Sequence, residues 1–264
     1  MRRILSFDCN GSQLAATLDE AAGDTGLLIV SGGNEIRIGA HRGMARLAAD
    51  IATAGYPVFR FDRRGIGESE GKNGGFTTSA PDIAAALTAF KNACPAMTRI
   101  IAFGNCDAAT ALLLHHTSGI DTHVLANVWV VEPDGDLPSP AAIRARYRER
   151  LKDPRSWVGL FTGAINLRKL AGGLLRIATP QPPALLVQSV AAALNAAEAP
   201  IIILLAARDG TAIAFADAWN GPLFAATRAR ANIGVKMIDS ASHSFASESD
   251  YAALYETIFE VLSS

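Results

Sequence analysis

Ile100-Ile101-Ala102-Phe103-Gly104-Asn105-Cys106-Asp107-Ala108-Ala109-Thr110-Ala111-Leu112-Leu113 is the stretch from which the rest of the chain can be placed. An isoleucine-rich apolar run ends at Gly104, Cys106 follows two residues later, and a small-residue, helix-forming segment comes next. Strand, tight turn and helix in that order are the context of a nucleophile elbow, usually written G-x-S-x-G. Here the pattern reads G-x-C-x-A, with a thiol where the hydroxyl normally sits. Cys106 is therefore either an attacking thiolate or a small buried apolar residue. An isolated cysteine is more often the latter. Its position between strand and helix, where the helix N-terminus favours a thiolate, turns the reading toward the former.

The bulk numbers bound the problem. A chain of 264 residues buries a large core, and one α/β domain is the expectation. Half the residues are hydrophobic and 19% are charged, which fits a folded globular protein. A net charge of −1 gives no support for a nucleic-acid partner. Cys9, Cys94 and Cys106 are odd in number and widely spaced, so neither a zinc pattern nor a disulfide framework emerges and a reducing compartment is expected. Asp8 and Asn10 interrupt the apolar N-terminus before a signal h-region forms. The apolar segment 190–207 contains Asn195, Glu198 and Pro200, and reads as a helix followed by a strand rather than a membrane span. The expected location is cytoplasmic.

Working outward, residues 3–9 and 13–18 read as two strands joined by the hairpin dipeptide Asn10-Gly11. Residues 27–31 form a short buried strand ending in Gly32-Gly33-Asn34. A helix is predicted over 41–54 from the spacing of Met44, Leu47, Ala48 and Ile51, with Gly55 as its stop. A strand at 57–61 precedes the charged, glycine-rich turn 62–69, and residues 79–93 are helical with Pro81 near the start. After the 99–103 strand and the Cys106 helix comes a strand at 124–131. Strands alternating with helices after an antiparallel opening pair predict a mostly parallel, eight-stranded sheet with helices on both faces.

Beyond Val131 that rhythm breaks. Helix-like stretches at 139–152 and 154–177 have no strand pattern between them, and Asp153-Pro154 fits a helix start. Residues 133–182 are read as a helical cap or lid inserted into a core made of 1–132 and 183–264. Strands return at 200–206 and 235–238, and a last helix covers 249–262.

In an open parallel sheet, ligands bind in loops at the carboxyl ends of strands. Those loops carry Cys106, Asp209 and His243 in the chain order nucleophile, acid, base. Each has a bland alternative: His243 in Ser242-His243-Ser244-Phe245 is a surface loop residue, and Asp209 before Gly210 is a turn residue. Asp134 is the runner-up acid, and Asp239 reads as a strand cap. The expected oxyanion donors are the backbone N–H groups of Asp107 and Asn34. Glu35 has no evident structural task; it approaches Cys106, pairs with Arg37, Arg42 or Arg64, or faces solvent.

These residues carry a resemblance. Gly32-Gly33 with His41-Arg42, Phe61-Asp62-Arg63-Arg64-Gly65-Ile66-Gly67-Glu68-Ser69 and Gly104-Asn105-Cys106-Asp107-Ala108-Ala109 resemble the α/β-hydrolase superfamily. More narrowly, the chain resembles the exosortase A system-associated hydrolase 1 family over nearly its whole length. The segments Arg146-Tyr147…Leu151…Pro154…Trp157 and Asn166-Leu167-Arg168-Lys169-Leu170 support that narrower likeness. The D-x-R-G-x-G-x-S turn is widespread and unspecific; the G-x-C-D-A-A elbow discriminates better. The resemblance implies a Cys-His-Asp hydrolase encoded alongside extracellular-polysaccharide and protein-sorting functions, without a firm substrate. Cysteine at 106 and alanine at 108 depart from the superfamily pattern, and the cysteine argues against ordinary esterase activity.

Within the insertion, Arg144, Arg148 and Lys152 share one helix face beside an apolar stripe of Ile143, Tyr147 and Leu151. That is a solvated face over a packed one, or a cationic lid facing an anionic acyl donor. The expected activity is hydrolysis of esters, thioesters or lactones through an acyl-enzyme, on a small-molecule acyl substrate, with no metal or organic cofactor implied. An acyltransferase is the variant in which an alcohol or amine replaces water. The alternative from another class is a non-catalytic scaffold that binds a partner or a small carbonyl ligand. Glu35, Arg64 and Asp134 are the further expected site-lining residues. Oligomeric state is open.

Overall fold

The computed structural model of the chain describes residues 1–131 and 184–264. The segment 133–182 expected to form a cap, with Asp134 and the expected Arg144–Lys152 face, lies outside the described residues. Among the described residues, eight strands form one sheet: β1 (Arg2–Cys9), β2 (Ser12–Asp19), β3 (Thr25–Val30), β4 (Val58–Phe61), β5 (Arg99–Asn105), β6 (Thr122–Ala126), β7 (Ile201–Ala206) and β8 (Ile233–Ile238). Their order is β1-β2-β4-β3-β5-β6-β7-β8. β1 pairs antiparallel with β2, and β2 antiparallel with β4; every later neighbouring pair is parallel.

Local chemistry explains the opening hairpin. Asn10 and Gly11 both take left-handed φ, 54° and 82°, which a two-residue turn matched to strand twist requires. The Asp8 carboxylate accepts the Gly11 N–H and fixes the turn.

The parallel strands β3 to β7 are buried on both faces, as their near-continuous apolar runs require, while the edge strand β8 is largely exposed. Leu27, Ile29, Ile101 and Phe103 face one core, while Leu28, Val30, Ile100 and Ala102 face the other. Helices α1 (Gly43–Thr53) and α7 (Glu248–Ser263) cover the first through Leu47, Ile51, Leu254 and Ile258. Helices α2 (Ala80–Ala93), α3 (Asp107–His115), α4 (Leu185–Ala196) and α5 (Gly210–Trp219) cover the second, with Ile83, Phe90, Leu112, Val190 and Phe215. A short helix α6 (Ala225–Arg228) follows α5. Each fully buried large apolar side chain contributes roughly 1.5–3 kcal/mol.

Of the boundaries that differ from the sequence reading, two have a visible backbone cause. The strand expected at 124–131 begins at Thr122 and stops at Ala126, because Asn127 adopts φ 45° and leaves the ladder. The helix expected from 41 begins at Gly43, since His41 and Arg42 have φ of 53° and 61°.

A buried ionic frame ties the loop after β3 to the turn after β4. Fully buried Asp62 accepts the Arg37 N–H and Nη1, both at 2.5 Å, and Arg37 Nη2 reaches Glu68. Removing one partner would leave a buried charge uncompensated, which is why such frames fix loop positions. No helix among the described residues is long and apolar enough to cross a membrane.

Candidate active site

β5 ends at the centre of the sheet, and the backbone turns sharply there into α3. Cys106 sits at the turn with φ 63° and ψ −128°, a conformation a residue with a Cβ adopts only under constraint. The constraint is visible: its N–H donates to Ala126 O at 3.0 Å, and its carbonyl accepts from Trp129 N–H at 3.3 Å. Close approach then dictates small neighbours. A Cβ on Gly104 would lie 2.8 Å from the Ala108 carbonyl carbon, and one on Gly32 would lie 2.5 Å from Asn105 O. Glycine at 104 and 32 is what lets strand, helix and the β3 loop converge on the thiol.

A cleft of about 280 Å³ opens over this turn, lined by residues that include Gly32, Gly33, Asn34, Glu35, Met44, Cys106 and His243. Cys106 and His243 are both half-buried at its floor. His243 Nδ1 lies 3.0 Å from Asp209 Oδ2. Asp209 is buried at the N-cap of α5, and the same oxygen accepts the N–H groups of Thr211 and Ala212, each at 3.1 Å. Burial alone would raise the Asp209 pKa. The bond to His243 and the two backbone N–H groups outweigh it and hold the carboxyl below its ordinary range.

The imidazole shows the reciprocal effect. Its bond to Asp209 and its interaction with Cys106 outweigh burial and raise the His243 pKa to about 10. With Nδ1 committed to Asp209, the other ring nitrogen is the one left for sulfur. The loop that carries the histidine is anchored by buried Phe245 in the core under α1 and α7. It is also held at its carbonyl: Asn105 Nδ2 donates to His243 O at 2.9 Å, and Asn127 Nδ2 to the same oxygen at 3.3 Å.

Of the two expected oxyanion donors, Asp107 adjoins Cys106 in the chain and Asn34 lines the same cleft. The Asp107 N–H is the first of α3 and has no intrahelical acceptor. Asn34 lines the cleft, and among the described residues its N–H donates to nothing; its side-chain oxygen accepts from Asn73 instead. The Asp107 carboxylate accepts the Gly33 N–H at 2.5 Å.

Glu35 lines the cleft but is exposed, and its carboxylate accepts the Ala40 N–H at 3.3 Å. It pairs with none of the three arginines considered for it: Arg37 is taken by Asp62 and Glu68, Arg64 by Asp82, and Arg42 forms no ion pair among the described residues. Arg64 turns away from the cleft, giving its Nε and backbone N–H to Asp82. Asp239 is exposed and pairs with Arg208, not with His243.

Three residues at the site escaped the sequence reading: Asn105, Asn127 and Arg63. Asn127 carried a signal, being the one polar residue inside the apolar run 124–131. Arg63 carried none, since one arginine in a charged turn looks like its neighbour.

No protein-family model matches the sequence, and no curated protein does either. Solved structures do. An esterase from Pyrococcus furiosus superposes with a TM-score of 0.67 at 15% identity, over 100% of this chain and 91% of the esterase. An esterase from Exiguobacterium antarcticum gives 0.62 at 16% identity, over 98% and 99% of the two chains. The α/β-hydrolase GrgF from a Penicillium species gives 0.64 at 15% identity, over 99% and 98%. The chain has the α/β-hydrolase fold.

Proposed function

We propose that the protein is a hydrolase of carboxylic esters, thioesters or lactones that uses Cys106 as nucleophile, His243 as base and Asp209 as the acid that orients it. The observation that carries this reading is the strained Cys106 backbone at a strand–helix turn, facing a cleft it shares with His243 bonded to Asp209. Strain of that kind persists only where surrounding structure enforces it, and it clusters at reacting residues. That solved esterases share the fold supports the reaction class.

The chemistry follows from the geometry. A high-pKa imidazole beside the thiol takes its proton, giving a thiolate–imidazolium pair held in orientation by Asp209. The thiolate lone pair forms a C–S bond to the substrate carbonyl carbon, and the π electrons move to oxygen, facing the Asn34 and Asp107 N–H groups. Collapse re-forms the C=O bond and breaks the bond to the leaving group, which takes the imidazolium proton. Water then attacks the thioester while His243 accepts one of its protons. The C–S bond breaks, the carboxylic acid departs and the thiolate–imidazolium pair is regenerated. A cleft of about 280 Å³ lies just below the usual range for a drug-sized ligand and suits a short acyl group. The G-N-C-D-A-A elbow supports the narrower likeness to exosortase A system-associated hydrolases.

The test is a mass-spectrometric trap. Brief exposure to p-nitrophenyl acetate is expected to leave an acetyl group on Cys106, absent in Cys106→Ala and slowed in His243→Ala. Release of nitrophenol with no adduct on Cys106, or equal labelling of Cys94 and Cys106, would sink the proposal in favour of a binding scaffold.

A further inference from the structure

We infer that Arg63 and the Asp107 side chain, neither of which reaches the reacting atoms, aim the Asn34 N–H into the cleft and thereby set the strength of the oxyanion hole. The inference rests on the reading of Cys106 as nucleophile.

Both backbone polar groups of Gly33 are held. Its N–H donates to Asp107 Oδ1 at 2.5 Å, and its carbonyl accepts from Arg63 Nη2. The same Nη2 stands 3.6 Å from Asp107 Oδ2, so the guanidinium and the carboxylate clamp one residue between them. The Gly33–Asn34 peptide is trans. In a planar trans peptide, the carbonyl and the following N–H point to opposite sides. Drawing the Gly33 carbonyl toward Arg63 therefore turns the Asn34 N–H the other way, and among the described residues that N–H meets no acceptor. A Glu35 N–H bond to Gly32 O at 3.1 Å closes the turn around it, and Gly33 at φ 57° puts no side chain in the way.

Charge gives the pair a second role. A carboxylate beside the first N–H of α3 would oppose negative charge developing on a substrate oxygen, more strongly for being mostly shielded from water. Arg63, with only 5% of its side chain exposed, is the cation that balances it. The neighbouring Arg64 has no part in this, being given over to Asp82.

The experiment compares two reactions of the same thiol. Alkylation of Cys106 by iodoacetamide displaces iodide at a saturated carbon and forms no oxyanion; acylation by p-nitrophenyl acetate passes through one. In Arg63→Met, acylation is expected to fall roughly 10- to 100-fold, less than the roughly 100- to 1000-fold that losing an oxyanion donor outright costs, while alkylation stays unchanged. Adding Asp107→Asn to that variant is expected to restore part of the acylation rate, because the amide oxygen still accepts from Gly33 and the charge is gone. Arg63→Lys keeps the charge with a shorter side chain, and should show the same split in smaller degree if Arg63→Met does not fold. Unchanged acylation, or acylation and alkylation falling together, overturns the inference. Wild-type protein that alkylates at Cys106 but is never acylated there overturns the nucleophile reading, and this inference with it.

Discussion

Asn105, the residue just before Cys106, donates its side-chain amide to the His243 carbonyl at 2.9 Å. Cys106 and His243 are thus tied through a single neighbour even though 137 positions, from 106 to 243, separate them in the chain. Asn127 braces the joint, donating to Asn105 Oδ1 at 3.0 Å while its own Oδ1 accepts the Ala206 N–H at 2.9 Å. Asn105→Ala is expected to lower stability by about 1 kcal/mol in urea titrations and to slow Cys106 acylation. Asn105→Asp should do worse than alanine on both counts, since an ionised carboxylate has only acceptors to offer a carbonyl. An aspartate variant as active as the wild type would contradict this.

The elbow stores strain that can be measured. Cys106→Gly and Cys106→Ala both remove the sulfur and differ only in the Cβ. At φ 63° and ψ −128° the glycine variant is expected to be the more stable by about 1 kcal/mol, the reverse of the usual order in a regular element. Paired urea denaturations decide it.

His243 binds its proton more tightly folded than unfolded. Asp209 first and Cys106 second raise its pKa from 6.5 to about 10. The stabilisation this brings is fully present below pH 6.5 and is lost as pH rises toward 10. The urea midpoint of the wild type relative to His243→Gln is therefore expected to fall across that window. The ring is 39% exposed, so solvent screening keeps the effect modest. A flat difference would refute the coupling.

His123 on β6 behaves in the opposite sense. It is 8% exposed, and neither ring nitrogen has a hydrogen-bond partner among the described residues. Burial, and then the charge on His116, push its pKa down to about 4. The folded ring stays neutral while the unfolded one protonates near 6.5, so stability is lost as pH falls from 6.5 toward 4. His123→Leu is expected to add about 1 kcal/mol near neutrality and more at pH 5, read from urea midpoints.

Much of this was legible because burial imposes a period. The helical spacing of Met44, Leu47, Ala48 and Ile51 marked α1, unbroken apolar runs at 27–30 and 100–103 marked two strands of the sheet interior, and Asn10-Gly11 marked its turn. The position of Cys106 after a strand and before small residues marked the elbow. What stayed hidden depends on distant partners. Arg63 and Arg64 are adjacent and identical in type, yet one goes to Asp107 and the other to Asp82. No local pattern separates them. Asn127 needed its left-handed φ to be seen ending β6, and Glu35 needed Ala40 in place to show where its carboxylate rests.

The sheet order has a practical consequence. Asn34, Arg63, Cys106 and Asp107 all precede the end of β6, while Asp209 and His243 follow β7 and β8. A cut anywhere between Asn127 and Pro200 divides the chemistry between two fragments, the thiol on one and the imidazole on the other. Only reassembly through the β6–β7 pairing brings them back within reach. Fused to two proteins of interest, such halves would make recovered acylation an AND gate that reports when those proteins meet.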